Sequence, residues 1–357
     1  MGSETRSGRP KALGLISGGL DSTLAARILT EQGIEVEGVH FSTGFCKVDH
    51  RRALGRPEDL ERPARVRNEA LRAGADLAVP VDVVDVAEEY LREVVLRPRH
   101  GYGSAMNPCI DCRIFMLRKA GELARERGAE IVFTGEVVGQ RPMSQHHAAL
   151  ALIEEESGLR GSLLRPLSAA HLPPTEAEKA GRIDRSRLGA AHGRARRVQL
   201  ELARRFGIEE FPTPSGGCCF LADRNFAARL RDLLAHREPR SIAREDLVLL
   251  KVGRHFRLAH DLKAIFGRDE VESRLLRREA RGRSVCQVVD GRGSLGLVEG
   301  EPGPREMREL AALAVRYSSH RAAAEVPVRI GREGQEQRLS ASAVREERIR
   351  ELRIGWA

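Results

Sequence analysis

The sequence predicts an α/β protein, a doubly wound parallel sheet followed by a smaller α+β domain. Three observations carry that expectation. An apolar run at residues 12–16 leads through Ser17-Gly18-Gly19 into apolar residues at helical spacing, the pattern of a buried strand, a glycine turn and a helix. Strand-like and helix-like stretches then alternate to about residue 135, the order that builds a parallel sheet covered on both faces. Beyond Pro239 short strand-like runs, the first at 247–257, alternate with glycine turns.

A chain of 357 residues can hold two domains and bury a sizeable core. With 60 Lys+Arg against 51 Asp+Glu, the net charge of +9 suits a polyanionic partner without demanding one. Aromatic residues are only 4% of the chain, so any base stacking would rest on few side chains. No apolar run approaches the roughly 18 residues that span a bilayer. Residues 1–10 lack the apolar stretch of a signal peptide, so the expected location is cytoplasmic. There, six cysteines suggest metal, sulfur or catalytic chemistry more than disulfides.

The helix after the glycine turn should stop at Gly33, and residues 36–41 read as the second strand. Cys46 has no nearby partner and reads as an ordinary thiol. Residues 47–62, rich in Arg, Asp and Pro, read as a surface loop. A helix is expected over 64–73, a strand over 77–82 and a helix over 86–95.

Next comes Asn107-Pro108-Cys109-Ile110-Asp111-Cys112-Arg113, with an apolar face at Ile114, Leu117, Ala120, Leu123 and Ala124 running to Gly128. Pro108 suits a helix start, which puts Cys109 and Cys112 in the first turn. Free N–H groups and the helix dipole there favour thiolates, for nucleophilic attack or for metal. Taken alone, the C-x-x-C also suits a zinc half-site or a thioredoxin-like pair. Residues 131–134 form a buried strand ending in a Thr134-Gly135 turn. Within residues 141–147, His146 and His147 could bind metal, but adjacent histidines rarely point the same way.

A third cysteine site lies in Pro212-Thr213-Pro214-Ser215-Gly216-Gly217-Cys218-Cys219-Phe220, a turn that would present its thiols. Before it, residues 181–205 carry eight arginines against Asp184 and Glu201, with helical periodicity from 194. Such a run is either a solvated face or a phosphate grip. Cys286, inside an apolar strand run, reads as a core residue.

The turn lacks the Lys of a P-loop and the G-x-G-x-x-G of a dinucleotide site. Ser17-Gly18-Gly19-Leu20-Asp21-Ser22 instead resembles the PP-loop of N-type ATP pyrophosphatases, which have an adenine nucleotide α-hydrolase-like fold and adenylate a carbonyl oxygen. The resemblance implies ATP and Mg²⁺, with Ser17, Gly18, Gly19, Asp21 and Ser22 at the phosphates and Asp21 beside the metal. It further implies His40 and Phe41 near adenine, Thr134 and Gly135 in a second nucleotide loop, and Ser144 and Gln145 toward the phosphates.

With the cysteine motifs, residues 10–222 resemble tRNA thiouridine synthases of the 2-thiouridylase and 4-thiouridine synthetase branches. That implies tRNA as substrate, a sulfur donor (sulfide or a persulfide carrier), and Cys112 with Cys219 as the catalytic pair. Many 2-thiouridylases have Asp where this chain has Cys109. Cys109, Cys112 and Cys219 (or Cys218) could therefore hold a [4Fe–4S] cluster with one open iron, or zinc, while Cys112 and Cys219 alone could run a persulfide relay. In such an enzyme Arg194, Arg196 and Arg197 would grip tRNA phosphates. The C-terminal part resembles the RNA-binding domain of NFACT-type proteins. The expected division is a PP-loop thiolation domain at 1–222, a helical bridge at 223–241 and an RNA-binding α+β domain at 242–357. Two other readings remain at this point: a PP-loop ligase acting on a small molecule, and a non-catalytic RNA-binding protein.

Overall fold

The computed structural model describes residues 9–61, 66–212 and 219–355. They fall into two compact units. One runs to residue 49 and from 62 to 218, and the other comprises residues 50–61 and those from 219 onward.

The first unit opens with β1 (Lys11–Leu15), α1 (Leu20–Thr30) and β2 (Glu35–Ser42). In chain order α2 (Lys47–Leu54), which runs from the first unit into the second, and α3 (Pro57–Leu60), which belongs to the second, come next. The first unit resumes with α4 (Glu69–Leu77), β3 (Val81–Asp85), α5 (Ala87–Tyr90) and a π-turn at Leu91–Val95. Next are α6 (Cys109–Glu126), β4 (Ile131–Thr134), α7 (His147–Glu156), β5 (Leu163–Leu164), α8 (Glu176–Lys179) and α9 (Arg197–Arg205). The five strands form one parallel sheet in the order β3-β2-β1-β4-β5. The winding direction reverses between β1 and β4, and in such sheets the crevice beyond the carboxyl ends of those two strands is the ligand position.

Helix α1 is held by its apolar face, with Leu20, Leu24 and Leu29 fully buried. Each buried leucine is worth roughly 1.5–3 kcal/mol, so its anchoring leaves the helix N-terminus free of structural duty. Gly14 sits mid-strand because a Cβ there would run into the Phe133 ring on β4. Helix α4 begins five residues later than the sequence suggested: Asn68 caps it, its Oδ1 accepting from Ala70 N at 3.0 Å and Leu71 N at 3.2 Å. Strand β3 shifts correspondingly to residues 81–85.

The second unit contains α10 (Arg224–His236), α11 (Arg244–Leu250), β6 (Arg254–Ala259), β7 (Leu262–Phe266), α12 (Glu270–Arg278), β8 (Ser284–Val288) and β9 (Gly296–Glu299). It closes with α13 (Pro304–Arg316), β10 (Val326–Arg332), β11 (Gln335–Ala341), α14 (Glu346–Leu352) and β12 (Arg353–Ile354). Its seven strands make one antiparallel sheet, β11-β10-β8-β9-β7-β6-β12. Phe256, Phe266, Val288, Leu310 and Ile330 share one core cluster, and Cys286 is buried in it as expected, burial pushing its thiol pKa up.

Two expectations are corrected here. Within the stretch expected as a loop, residues 47–60 are not open chain but form two helices, and residue 62 lies outside the described residues. Leu54 packs on the cluster of Leu249, Val252 and Leu276, and Arg56 donates to Asp269 Oδ2 at 2.6 Å and Glu272 Oε1 at 3.3 Å. Residues 247–250, read as strand, end helix α11, which Asp246 caps by accepting from Ala243 N at 2.9 Å.

Candidate active site

The turn after β1 is built as a cradle. Gly18 has φ +74°, and a Cβ there would overlap the backbone of Glu69 and Ala70 at the start of α4, so only glycine fits. Ser22 locks the turn: its Oγ donates to Gly19 O at 3.0 Å and accepts from Ser17 N at 3.3 Å. Gly19 is the N-cap of α1; its N–H donates to Ser17 Oγ at 3.4 Å, and no side chain caps the helix N–H groups that follow. A Cβ on Gly19 would meet only Ser17 Oγ, at 3.4 Å. Open backbone N–H groups at a helix N-terminus over a glycine turn are an anion site.

The end of β4 presses directly against this turn. A Cβ on Gly135 would overlap the backbone of Asp21 and Ser22. Thr134 and Glu136 flank that contact, both buried. Glu136 lies between two guanidiniums, Arg165 Nε at 3.2 Å and Arg113 Nε at 3.4 Å. Arg165 is itself buried and also reaches Glu154 at 2.9 Å. Burial opposes the Arg113 charge, yet Glu136 and the neighbouring thiols Cys112 and Cys109 hold its pKa above the ordinary value.

The loop at 139–145 joins the nucleotide turn to the cysteine helix. It is closed by Gly139 N donating to Gln145 O at 2.7 Å and Gln145 N donating to Arg141 O at 3.0 Å. At one end Gln140 Nε2 donates to Asp21 Oδ2 at 3.1 Å. At the other, Met143 Sδ stands 3.5 Å from Asn107 Nδ2, which donates to Cys109 Sγ at 3.2 Å. Ser144 and Gln145 are buried in this loop.

Cys109 and Cys112 occupy the first turn of α6, with Pro108 as N-cap. The expectation of a thiolate is corrected for Cys112: burial pushes its thiol pKa above the ordinary value, although Arg113 and a hydrogen bond from Tyr90 pull the other way. Asp111, between them, does structural work, accepting from Arg99 N at 2.8 Å and His100 N at 3.0 Å. His146 Nδ1 accepts from Ala149 N at 3.2 Å as the cap of α7, which commits it away from a metal role.

His40 is turned onto the protein: its Nδ1 donates to Ile16 O at 3.0 Å, and Phe41 is buried. Cys219 is half-buried at the start of the second unit, and Cys218 lies outside the described residues. Of the arginine tract, Arg194 and Arg197 are exposed, Arg197 pairs with Glu201 at 3.3 Å, and Arg196 Nε is buried with no hydrogen-bond partner among the described residues. Sequence reading missed Gln140, Glu136, Arg113 and Arg165. Arg165 alone had a visible signal, a single cation inside the apolar run at 163–167.

Asp21 Oδ1 is buried with no hydrogen-bond partner among the described residues. An uncommitted carboxylate oxygen beside a phosphate cradle fits Mg²⁺, which is commonly held by one or two carboxylates plus substrate phosphates. Among the described residues no three His, Cys, Asp or Glu side chains gather as a metal group. No helix of the described residues is long and apolar enough to cross a membrane.

Residues 11–156 match the family profile described as the tRNA methyl transferase HUP domain, and residues 253–353 match that of the NFACT protein RNA binding domain. The tRNA-specific 2-thiouridylase MnmA of Syntrophotalea carbinolica is 37% identical over 123 residues, 34% of this chain and 32% of that protein. Its counterpart from Methylobacterium nodulans is 27% identical over 249 residues, 67% of this chain and 59% of that protein. The chain thus spans about a third to three-fifths of the length of these curated relatives. A solved 4-thiouridine synthetase–RNA complex with bound ATP aligns at 20% identity over 55% of this chain and 50% of that one, with a TM-score of 0.32.

Proposed function

From a HUP-domain segment and an NFACT RNA-binding segment in one chain, we propose that this protein is an ATP-dependent tRNA sulfurtransferase, forming thiouridine, AMP and pyrophosphate. The observation that carries the reading is the loop at 139–145. It touches the nucleotide turn through Gln140 and the cysteine helix through Met143 and Asn107, so activation and sulfur delivery would share one short segment.

In this reading the open N–H groups at the start of α1, with Ser17, hold the pyrophosphate as it leaves, a charge-stabilising role for preorganised donors. Ser22 keeps the turn closed. Asp21 and Gln140 orient the phosphates, and Mg²⁺, when bound at Asp21, would neutralise developing phosphate charge. Thr134 and Gly135 set the floor of the nucleotide site, with Ser144 and Gln145 behind it. His40, through its bond to Ile16 O, fixes the carboxyl end of β1, and Phe41 backs that end of the sheet.

Cys112 is the proposed sulfur carrier. It is loaded as a persulfide by sulfane-sulfur transfer from a persulfide carrier. Its terminal sulfur attacks the activated uracil carbon, the C–O bond to AMP breaks, and a second thiolate then cleaves the S–S bond, releasing thiouridine and leaving a disulfide that an external thiol reduces. Arg113 would favour the anionic form of the terminal sulfur. The role of Cys219 rests on the sequence resemblance. A cluster on Cys109, Cys112 and a third thiol has one feature in its favour, namely that Cys109 is idle in a persulfide relay. Arg194 and Arg197 are assigned to tRNA phosphates.

Thionucleoside analysis of tRNA from a deletion strain tests the activity: one thiouridine should vanish and return with the wild-type gene, and an unchanged profile would refute the proposal. Cys109→Asp separates the carriers. If the persulfide operates, the variant protein is iron-free and still thiolates. If it loses both iron and thiolation, the cluster carries the sulfur.

A further inference from the structure

Four guanidinium groups converge on one cleft of the second unit. Arg254, Arg268, Arg316 and Arg321 line a cavity of about 410 Å³ together with Tyr317 and Ser319, and no carboxylate is among the lining residues. They come from separate elements: Arg254 opens β6, Arg268 follows β7, Arg316 closes α13, and Arg321 lies just beyond it.

Two of the four charges are partly answered. Arg268 Nε donates to Glu272 at 2.9 Å, and Arg316 Nη2 to Glu346 Oε2 at 2.8 Å. The other two are not. Arg254 donates to a carbonyl, Gly267 O, at 2.8 Å, and lies over the Tyr317 ring at 4.7 Å. Arg321 is exposed and makes no hydrogen bond or ion pair among the described residues. Burial lowers the Arg254 pKa below its ordinary value, and the neighbouring Arg353 and Arg268 charges lower it further. An anion would relieve that crowding of like charge.

The end of a helix would ordinarily repel an anion, but three carbonyls at the end of α13 and its C-cap are already engaged. Leu313 O accepts from Tyr317 N at 3.2 Å, Val315 O from Ser318 N at 3.1 Å, and Tyr317 O from Ser294 N at 3.0 Å. What faces the cleft is guanidinium and hydroxyl. Arginine forks match phosphate oxygens, and the Tyr317 face, covered by Arg254, is not open to a stacked base. We propose that this cleft holds a backbone phosphate of bound RNA, an inference that rests on the RNA-binding reading of this unit.

The test is equilibrium binding of unmodified tRNA to the full chain across a salt series, with Arg321→Ala, Arg321→Lys and Ser319→Asp. Both sites are exposed, so folding should be intact. For Arg321→Ala the expected result is several-fold weaker binding and a log–log salt slope shallower by about 0.7–0.9. Arg321→Lys should keep the slope, and Ser319→Asp should weaken binding most. Tight wild-type binding with wild-type affinity and slope in Arg321→Ala and Ser319→Asp would overturn the cleft assignment and leave RNA binding standing. If wild type binds no tRNA but binds inorganic phosphate, and Ser319→Asp does not, the backbone assignment is overturned. The cleft then belongs to a free phosphoryl ligand, and the RNA reading of the protein fails with it.

Discussion

Gln140 donates from Nε2 to Asp21 Oδ2 at 3.1 Å, leaving Asp21 Oδ1 buried without a hydrogen-bond partner among the described residues. One carboxylate oxygen is thereby fixed and the other is uncommitted. Gln140 belongs to the same loop as Met143, which stands against the Asn107 that bonds Cys109.

Asp21→Ala should abolish pyrophosphate release while leaving the far-ultraviolet circular dichroism unchanged, since Asp21 is only half-buried and carries no core contact. Gln140→Ala removes one hydrogen bond to a charged group, worth about 1.5–3 kcal/mol. Its pyrophosphate release should fall roughly 10- to 150-fold. A wild-type rate in Gln140→Ala would show that the bond does not orient Asp21 for the reaction.

Arg165 should matter for stability before chemistry. It is buried between Glu136 and Glu154, and removing one partner of a buried pair costs about 3–5 kcal/mol. Arg165→Met should lower the urea midpoint accordingly, and adding Glu136→Gln should recover part of the loss. Equal midpoints for Arg165→Met and wild type would remove this network from the account.

The glycine turn between β1 and α1 was legible because its parts are contiguous: strand, two glycines, Asp21, Ser22 and helix lie close together in sequence. Gln140 was not, because the fold brings it to Asp21 from 119 residues away. The same limit explains the segment at 47–62. Its charges suggested a solvated loop, yet Arg56 finds its partners in Asp269 and Glu272. Residues 247–250 failed for another reason: a short apolar run has no period that separates strand from helix, and the decisive cap at Asp246 is a geometric fact. The cysteine pair was located correctly on its helix, but the raised pKa of Cys112 was not legible, since local spacing shows the helix dipole and hides the burial that outweighs it.

Cys112 should therefore alkylate slowly at neutral pH. Burial raises its thiol pKa above the ordinary 9.0, so the neutral thiol is favoured below that value and the rate with iodoacetamide should climb only at higher pH. Arg113→Gln removes the nearby charge that lowers this pKa and should move the profile further up. A rate already at its plateau at pH 7 would contradict the burial argument.

The arginine tract has a separate signature. Arg194→Ala with Arg197→Ala should weaken tRNA binding and flatten its salt dependence by up to about 0.9 per lost duplex phosphate contact. Binding curves identical to wild type across the salt series would return these residues to a solvated helix face.

The most direct measurement counts pyrophosphate and thiouridine together in one reaction of purified protein, prepared without oxygen, with ATP, Mg²⁺, a low-molecular-weight persulfide as sulfur donor, a thiol reductant and unmodified tRNA. The account predicts that both products form in equal amounts, that Asp21→Ala makes neither, and that Cys112→Ala makes no thiouridine while still binding ATP. Pyrophosphate release that ignores tRNA, or thiouridine formed at the wild-type level by Cys112→Ala, would contradict it.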